Sequence, residues 1–375
     1  MDVSANPVTY CTNIHPGETW AETLENIVRH GLEVKQALCP DAPFPLGLRI
    51  SGLASLELDR ERALGFRDFL AESGLYVRTV NGFPYGRFHG APVKARVYRP
   101  DWRDPERLAY TVRLADLLDV WLPEGLTGSI SSVPLGFRAD FAGDDAVLAR
   151  ARLRRALEHL DELAQAGGRL IRLSLEPEPG CLLETTADVI RFFEEFAAEP
   201  GICAYLPYLA VCYDCCHQAL QFEDPAASLR ALAERGIPIG HVQVSSALRL
   251  ESPDLTRLAG YDEPVYLHQA VGRLAGGGLL RHDDLPAALA GGDAGALAWR
   301  VHFHLPVFLE ELPECLSTQP FLREILPLFA PDVPLEVETY TWSVLPEALR
   351  LGSLTDFIVR EIEWVEGRRA ARLSP

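Results

Sequence analysis

Lysine is nearly missing from this chain of 375 residues: of its 35 basic residues only Lys35 and Lys94 are lysine, and 53 acidic residues leave a formal net charge of −18. A field of that sign repels phosphate polymers and anionic lipid, which excludes nucleic acid and anionic membrane as general partners. Long apolar runs are missing too. The stretch 202–212, one of the longest, is broken by Pro207 and falls short of the roughly 20 residues that span a bilayer. Residues 1–10 carry neither a basic segment nor an apolar one of the secretory type, so the expected location is the cytoplasm. No Gly-x-Gly-x-x-Gly follows the first expected strand and no P-loop occurs, which removes the main support for nucleotide binding. Eight cysteines are too dilute for a disulfide scaffold. The cluster Cys212, Cys215, Cys216 lacks the second half of a zinc or redox motif and reads as packing.

What is present is an alternation. Short β-branched or apolar runs at 8–13, 46–51, 77–82, 128–133, 170–176, 209–214, 240–245 and 335–339 are each followed by apolar residues at helical spacing. That rhythm argues for a parallel sheet. Thr19 and Glu22 form a capping-box pattern ahead of a helix over 19–38, helices are expected over 144–166 and 185–197, and glycines at 31, 74 and 167 suggest left-handed helix ends. Eight right-handed βα units close most naturally into a (β/α)8 TIM barrel; an open doubly wound sheet is the alternative. No repeat or low-complexity tract divides the chain, so residues 1–375 are read as one domain. The rhythm breaks once. About 70 residues, 246–320, intervene after the seventh strand, punctuated by glycines at 276–278 and at 291, 292 and 295. In a barrel such an insertion hangs over the C-terminal face, where active sites lie, and is expected to be a lid.

The strand ends carry the chemistry. Strand five ends in Glu176, strand six in Asp214 followed by His217, strand seven begins with Gly240 and His241, and strand eight holds Glu336 and Glu338. A charged group within an otherwise apolar strand costs several kcal/mol to desolvate unless a partner or a metal compensates. Four adjacent strands would aim these groups at one spot. Glu176, Asp214, His241 and Glu338 make a first shell for Mn2+, Mg2+ or Co2+, with Zn2+ less favoured by so many oxygens. Glu336 and Glu338 differ by two and share a face; Glu338, nearer the C-terminal end, is the preferred ligand. Glu178 is a spare acid, expected just outside the barrel. The alternative for each acid is a buried ion pair, with Arg172 or Arg49 for instance.

Tyr213 to His217 resembles the Asp-x-x-His motif of the xylose isomerase-like TIM barrels, and Glu176, His241 and Glu338 resemble that superfamily's other ligands in strand order. More narrowly, residues 10–20, 81–86 and 302–304 resemble the metabolite traffic protein EboE family of secondary-metabolite clusters. The resemblance implies a divalent metal and Glu176 and Glu338 as paired acid and base of a sugar or cyclitol isomerase or epimerase, with the other enzymes of such a cluster as partners. It places His15, Asn81, Tyr85 and His89 at the barrel mouth as candidate substrate contacts. A departure is His302-x-His304, two imidazoles facing one way on a strand. With His217 they could hold further ions, zinc if the site is multinuclear, and that makes a metal-dependent hydrolase or phosphoesterase the second possibility. A non-catalytic metabolite-binding protein is the third. His268, in the insertion, could descend onto substrate.

Overall fold

A computed structural model describes residues 7–292, 295–350 and 352–370. Eight parallel strands form one sheet: β1 (Thr9–Tyr10), β2 (Phe44–Arg49), β3 (Leu75–Asn81), β4 (Gly128–Ser132), β5 (Ile171–Leu175), β6 (Leu209–Asp214), β7 (Ile239–Val244) and β13 (Leu335–Val337). Their order is β1-β13-β7-β6-β5-β4-β3-β2, and a parallel bridge from Cys11 to Gly47 joins the two outer strands into a barrel. All eight expected strands are present, the second displaced by two residues. Helices cover the outside. Thr19 and Glu22 form the capping box of the helix at Trp20–Asn26, and Thr185 and Asp188 form another for Thr186–Ala197. Gly74 and Gly168 take left-handed conformations at helix ends, with φ of 67° and 72°. Gly31 does not end its helix, as expected, but lies in a π-helical turn, Ile27–Gly31, that continues into Leu32–Leu38.

The segment after β7 has its own architecture. Strands β8 (Ser246–Leu250), β9 (Ala270–Leu274), β10 (Leu279–His282), β11 (Ala296–Leu305) and β12 (Leu316–Ser317) form an antiparallel sheet of order β10-β9-β11-β8-β12. Leu305, at the end of β11, pairs with Ser246, which follows β7 almost directly. The second sheet is therefore tethered at the barrel rim, and β11 delivers its last residues there.

Glu336 shows how parity sorts the barrel interior. Its side chain is fully buried, accepts from Thr79 Oγ1 at 2.5 Å, and occupies space that a Cβ on Gly47 would invade at 2.1 Å. Glu336 is thus a structural acid, one layer beneath Glu338. Gly47→Ala is expected to destabilise the protein by about 1–3 kcal/mol, the usual range for overpacking a rigid interior, measured as a shift in the urea midpoint. A change below about 0.5 kcal/mol would mean that Glu336 moves freely.

Candidate metal centre

Asp214 is both the last residue of β6 and the N-cap of the helix Cys215–Leu220. Its Oδ1 accepts from His217 N at 2.9 Å and from Ser245 Oγ at 2.8 Å, leaving Oδ2 buried and without a partner. The Asp-x-x-His spacing is therefore a capping geometry, in which the cap and the third helical residue meet on one side. Glu176 follows β5, and its Oε2 is likewise buried and unpartnered. Glu338 follows β13, and its Oε1 accepts from Asn13 Nδ2 at 2.7 Å and Asn81 Nδ2 at 2.9 Å. Oxygens of Glu176, Asp214 and Glu338 all lie within 4.8 Å of one another. Among the described residues no lysine or arginine forms an ion pair with any of the three.

Three imidazoles complete the arrangement. The Nδ1 of His304 lies 2.6 Å from the Glu338 carbonyl, and that of His217 lies 3.1 Å from the Pro177 carbonyl. A carbonyl only accepts, so in both rings Nδ1 carries the proton and Nε2 keeps its lone pair. His302 Nδ1 donates to Gln269 Oε1 at 2.7 Å; the Gln269 amide is oriented by its own donation to the Pro179 carbonyl at 3.0 Å. The His304 Nε2 is buried without a hydrogen-bond partner, 3.8 Å from Asp214 Oδ2. The Nε2 atoms of His217 and His302 face each other at 3.3 Å, about the spacing of two nitrogens on one ion at 2.0–2.1 Å bonds. Tyr340 Oη stands at 3.3 Å from the same His302 nitrogen. Two further groups of converging ligand atoms are thereby defined, Asp214 with His217 and His304, and Glu178 with His217 and His302.

Electrostatics run the same way. Burial, reinforced by Asp214 and Glu178, holds the Glu176 carboxyl far above the usual range, and burial with Glu176 and Asp214 does the same for Glu338. Burial also raises Asp214, and pushes Glu178 up to about 8. The imidazoles move oppositely: burial lowers His217 to about 3 and His304 to about 4. A dication would relieve the crowded carboxyls, and the neutral imidazoles offer it lone pairs. The unpartnered donors fit such an ion.

A pH dependence follows for metal-free protein. The folded state of these acids binds protons more tightly than the unfolded chain, whose carboxyls titrate near 4, so their contribution to stability falls as pH rises from about 4 through 8, while the imidazoles act in the opposite sense only up to about 6.5. Above the imidazole range the acids alone decide the sign, so urea midpoints in chelator should drop between pH 7 and pH 8, and saturating divalent metal should remove most of the drop. A chelator-treated protein that became more stable across that window would contradict the cluster.

Several sequence expectations need correcting. His241 is not among the converging ligands: its Nδ1 meets Ser129 Oγ at 2.7 Å and its Nε2 meets Cys212 Sγ at 3.3 Å, inside the barrel. His304 of the inserted sheet brings an imidazole instead. Glu178, past the end of β5, is no spare acid: it lines the cavity above the acids and accepts from Tyr98 Oη at 2.8 Å. Asn81 lines that cavity as expected, whereas His15, Tyr85, His89 and His268 do not. His15 packs on His30 and Tyr10, and Tyr85 donates to Glu106. His89 lies between the Asn13 carbonyl and Tyr266 Oη, and His268 between the His302 carbonyl and Glu263. Of the cysteine cluster, Cys216 comes within ligand distance of His302 and His304. Asn13, Gln269 and Tyr340 were missed. Gln269, beside His268 on the opposite strand parity, had a signal in that alternation; Asn13 and Tyr340 had none.

Compared with protein-family models and with curated proteins, the sequence matches none. Solved structures do match. A Mycobacterium smegmatis protein described as a xylose isomerase-like TIM barrel in complex with magnesium has a TM-score of 0.55 at 13% identity, over 98% of both chains. The fold is that of the xylose isomerase-like TIM barrels. A D-tagatose 3-epimerase-like protein gives 0.52 at 12% identity over 98% of both chains. The IOLI protein with a binding zinc atom gives 0.50 at 12%, over 98% of this chain and all of that one.

Proposed function

We propose that this protein is a cytoplasmic, divalent-metal-dependent isomerase or epimerase acting on a sugar, cyclitol or related polyol. The observation that carries the reading is the convergence of Glu176, Asp214 and Glu338 with no cationic side chain paired to them and with two carboxylate oxygens unpartnered. Glu176, Asp214, Glu338 and His304 would hold the ion, with Mn2+, Mg2+ or Co2+ suited to the oxygens. An ion held by these residues would supply polarisation of a substrate carbonyl, which would make the adjacent C–H more acidic. Glu176 removes the proton from the carbon beside that carbonyl and Glu338, steadied by Asn13 and Asn81, returns one. Residues 246–320 serve as the lid that excludes water. A D-allulose 3-epimerase from Methylomonas sp., solved with D-allulose, shares the fold at a TM-score of 0.50 and 13% identity over 96% of each chain, which accords with this chemistry.

The facing nitrogens of His217 and His302 favour a second reading, a hydrolase or phosphoesterase with more than one ion, zinc among them. Elemental analysis and isotope exchange separate the two. One ion per chain, with metal-dependent uptake of deuterium from 2H2O into ketohexoses or aryl ketoglycosides, supports the isomerase. Two or three zinc ions without exchange would overturn it. The motifs at 10–20, 81–86 and 302–304 support membership of the EboE family, with neighbouring biosynthetic enzymes supplying its substrate.

A further inference from the structure

The cavity over the acids has two unlike halves. Its floor is carboxylates, imidazoles and the amides of Asn13 and Asn81. Its roof comes from the loop after β3, the connection between β8 and β9 and the segment after β13, and is built of Phe83, Phe88, Val93, Val97, Tyr266 and Tyr340. Four of these, Phe88, Val93, Tyr266 and Tyr340, form a hydrophobic cluster of their own, separate from the barrel core.

The polar atoms of the roof already have partners within the protein. The Tyr266 hydroxyl lies 2.7 Å from His89 Nδ1, and the Tyr340 hydroxyl 3.3 Å from His302 Nε2. Tyr98, which also lines the cavity, spends its hydroxyl on Glu178 and Gln269. Lys94 is the one charged side chain among the described residues of the roof, and its Nζ is drawn to Asp284 at 2.8 Å and the Glu263 carbonyl at 3.2 Å. A free polyol enclosed here would have hydroxyls facing carbon, each buried without a partner. Rings and methyl groups instead suit an apolar or aromatic body, stacked or edge-on.

From this division we infer that the physiological ligand is amphiphilic: a vicinal hydroxy-carbonyl at the metal end, joined to an aryl or alkyl body that packs under the roof. The inference rests on the metal-dependent reading above and narrows its substrate to a conjugate in place of a free sugar.

Two chelators that differ only in their body test it on the full-length, Co2+-loaded protein. Acetohydroxamate and benzohydroxamate are titrated calorimetrically, and their affinity ratio is compared with the ratio for Co2+ in solution. Benzohydroxamate is expected to gain about tenfold or more beyond the solution ratio, as burial of a ring should give. In Val97→Asp, at a partly exposed position of the roof, the gain should fall to the solution ratio while acetohydroxamate stays within about threefold. Two chelators that bind with only the solution ratio would overturn the amphiphilic ligand and leave the metal reading standing. A gain that survives Val97→Asp would overturn the roof as its source. If neither chelator binds, the metal reading falls and this inference with it. The wild-type ratio decides the matter even if the variant does not fold.

Discussion

Asp214→Asn is expected to lower bound divalent metal at least tenfold, because Asp214 alone belongs to both the carboxylate group and the Asp214–His217–His304 group. Its Oδ1 is spent on the helix cap and Ser245, so Oδ2 is the atom the ion would lose. Asparagine can keep an oxygen on the His217 amide, which preserves the cap and confines the change to charge and coordination. At a metal concentration about 100 times the dissociation constant, ligation stabilises by about 2.7 kcal/mol, so most of the metal-dependent rise in Tm should vanish. Because the variant also removes one of three crowded acids, its chelator-treated form should be at least as stable as wild type at pH 8. Metal content by elemental analysis and melting with and without chelator check both parts. Unchanged metal content would remove Asp214 from the ligand set.

Glu338→Gln should abolish proton return by Glu338, and with it conversion between epimers, with little effect on the fold. General acid–base catalysis contributes roughly 10²–10⁴-fold, and a loss of about 10³-fold or more in the rate of conversion between ketohexose epimers is expected. The amide is nearly isosteric, and Oε1 can still accept from Asn13 and Asn81. Thermal stability in chelator should hold or rise, since a buried like charge has gone. Conversion that persisted within tenfold of wild type would show that Glu338 does not return the proton. Glu176→Gln provides the matched comparison: if the two acids act on opposite sides of the substrate carbon, each variant alone should stop conversion between epimers while leaving exchange of one epimer's proton to the remaining acid, and the double variant should lose both.

How much of this could be read beforehand differs between barrel and site. The strands were legible because parallel barrel strands are buried on both faces, so they appear as short apolar runs, and any acid within them stands out. Glu176, Asp214 and Glu338 were visible for that reason. The separation of Glu336 from Glu338 was not, since both obey one parity; the space left by Gly47 on a different strand seats the first inside the barrel. His241 obeyed the same rule as the acids, yet its ring meets Ser129 and Cys212. Which layer of a barrel a residue occupies depends on the stagger between strands, a quantity no single strand encodes.

The imidazole half was the least legible. His302 and His304 share a face of β11 by spacing, but what lies opposite that face is set by the pairing of Leu305 with Ser246 and by the tethering of the inserted sheet to β7. His268 and His89 looked equally eligible and turn out to be held by Glu263, Asn13 and Tyr266 behind the cavity wall. Local order along the chain, namely periodicity, caps and desolvated acids, determined the eight βα units, the interruption after the seventh, and three carboxylates at strand ends. Tertiary structure alone decided which imidazoles face those carboxylates and which ring nitrogen each presents. Those choices rest on contacts between residues far apart in sequence, and hydrogen bonds to distant carbonyls set the tautomers.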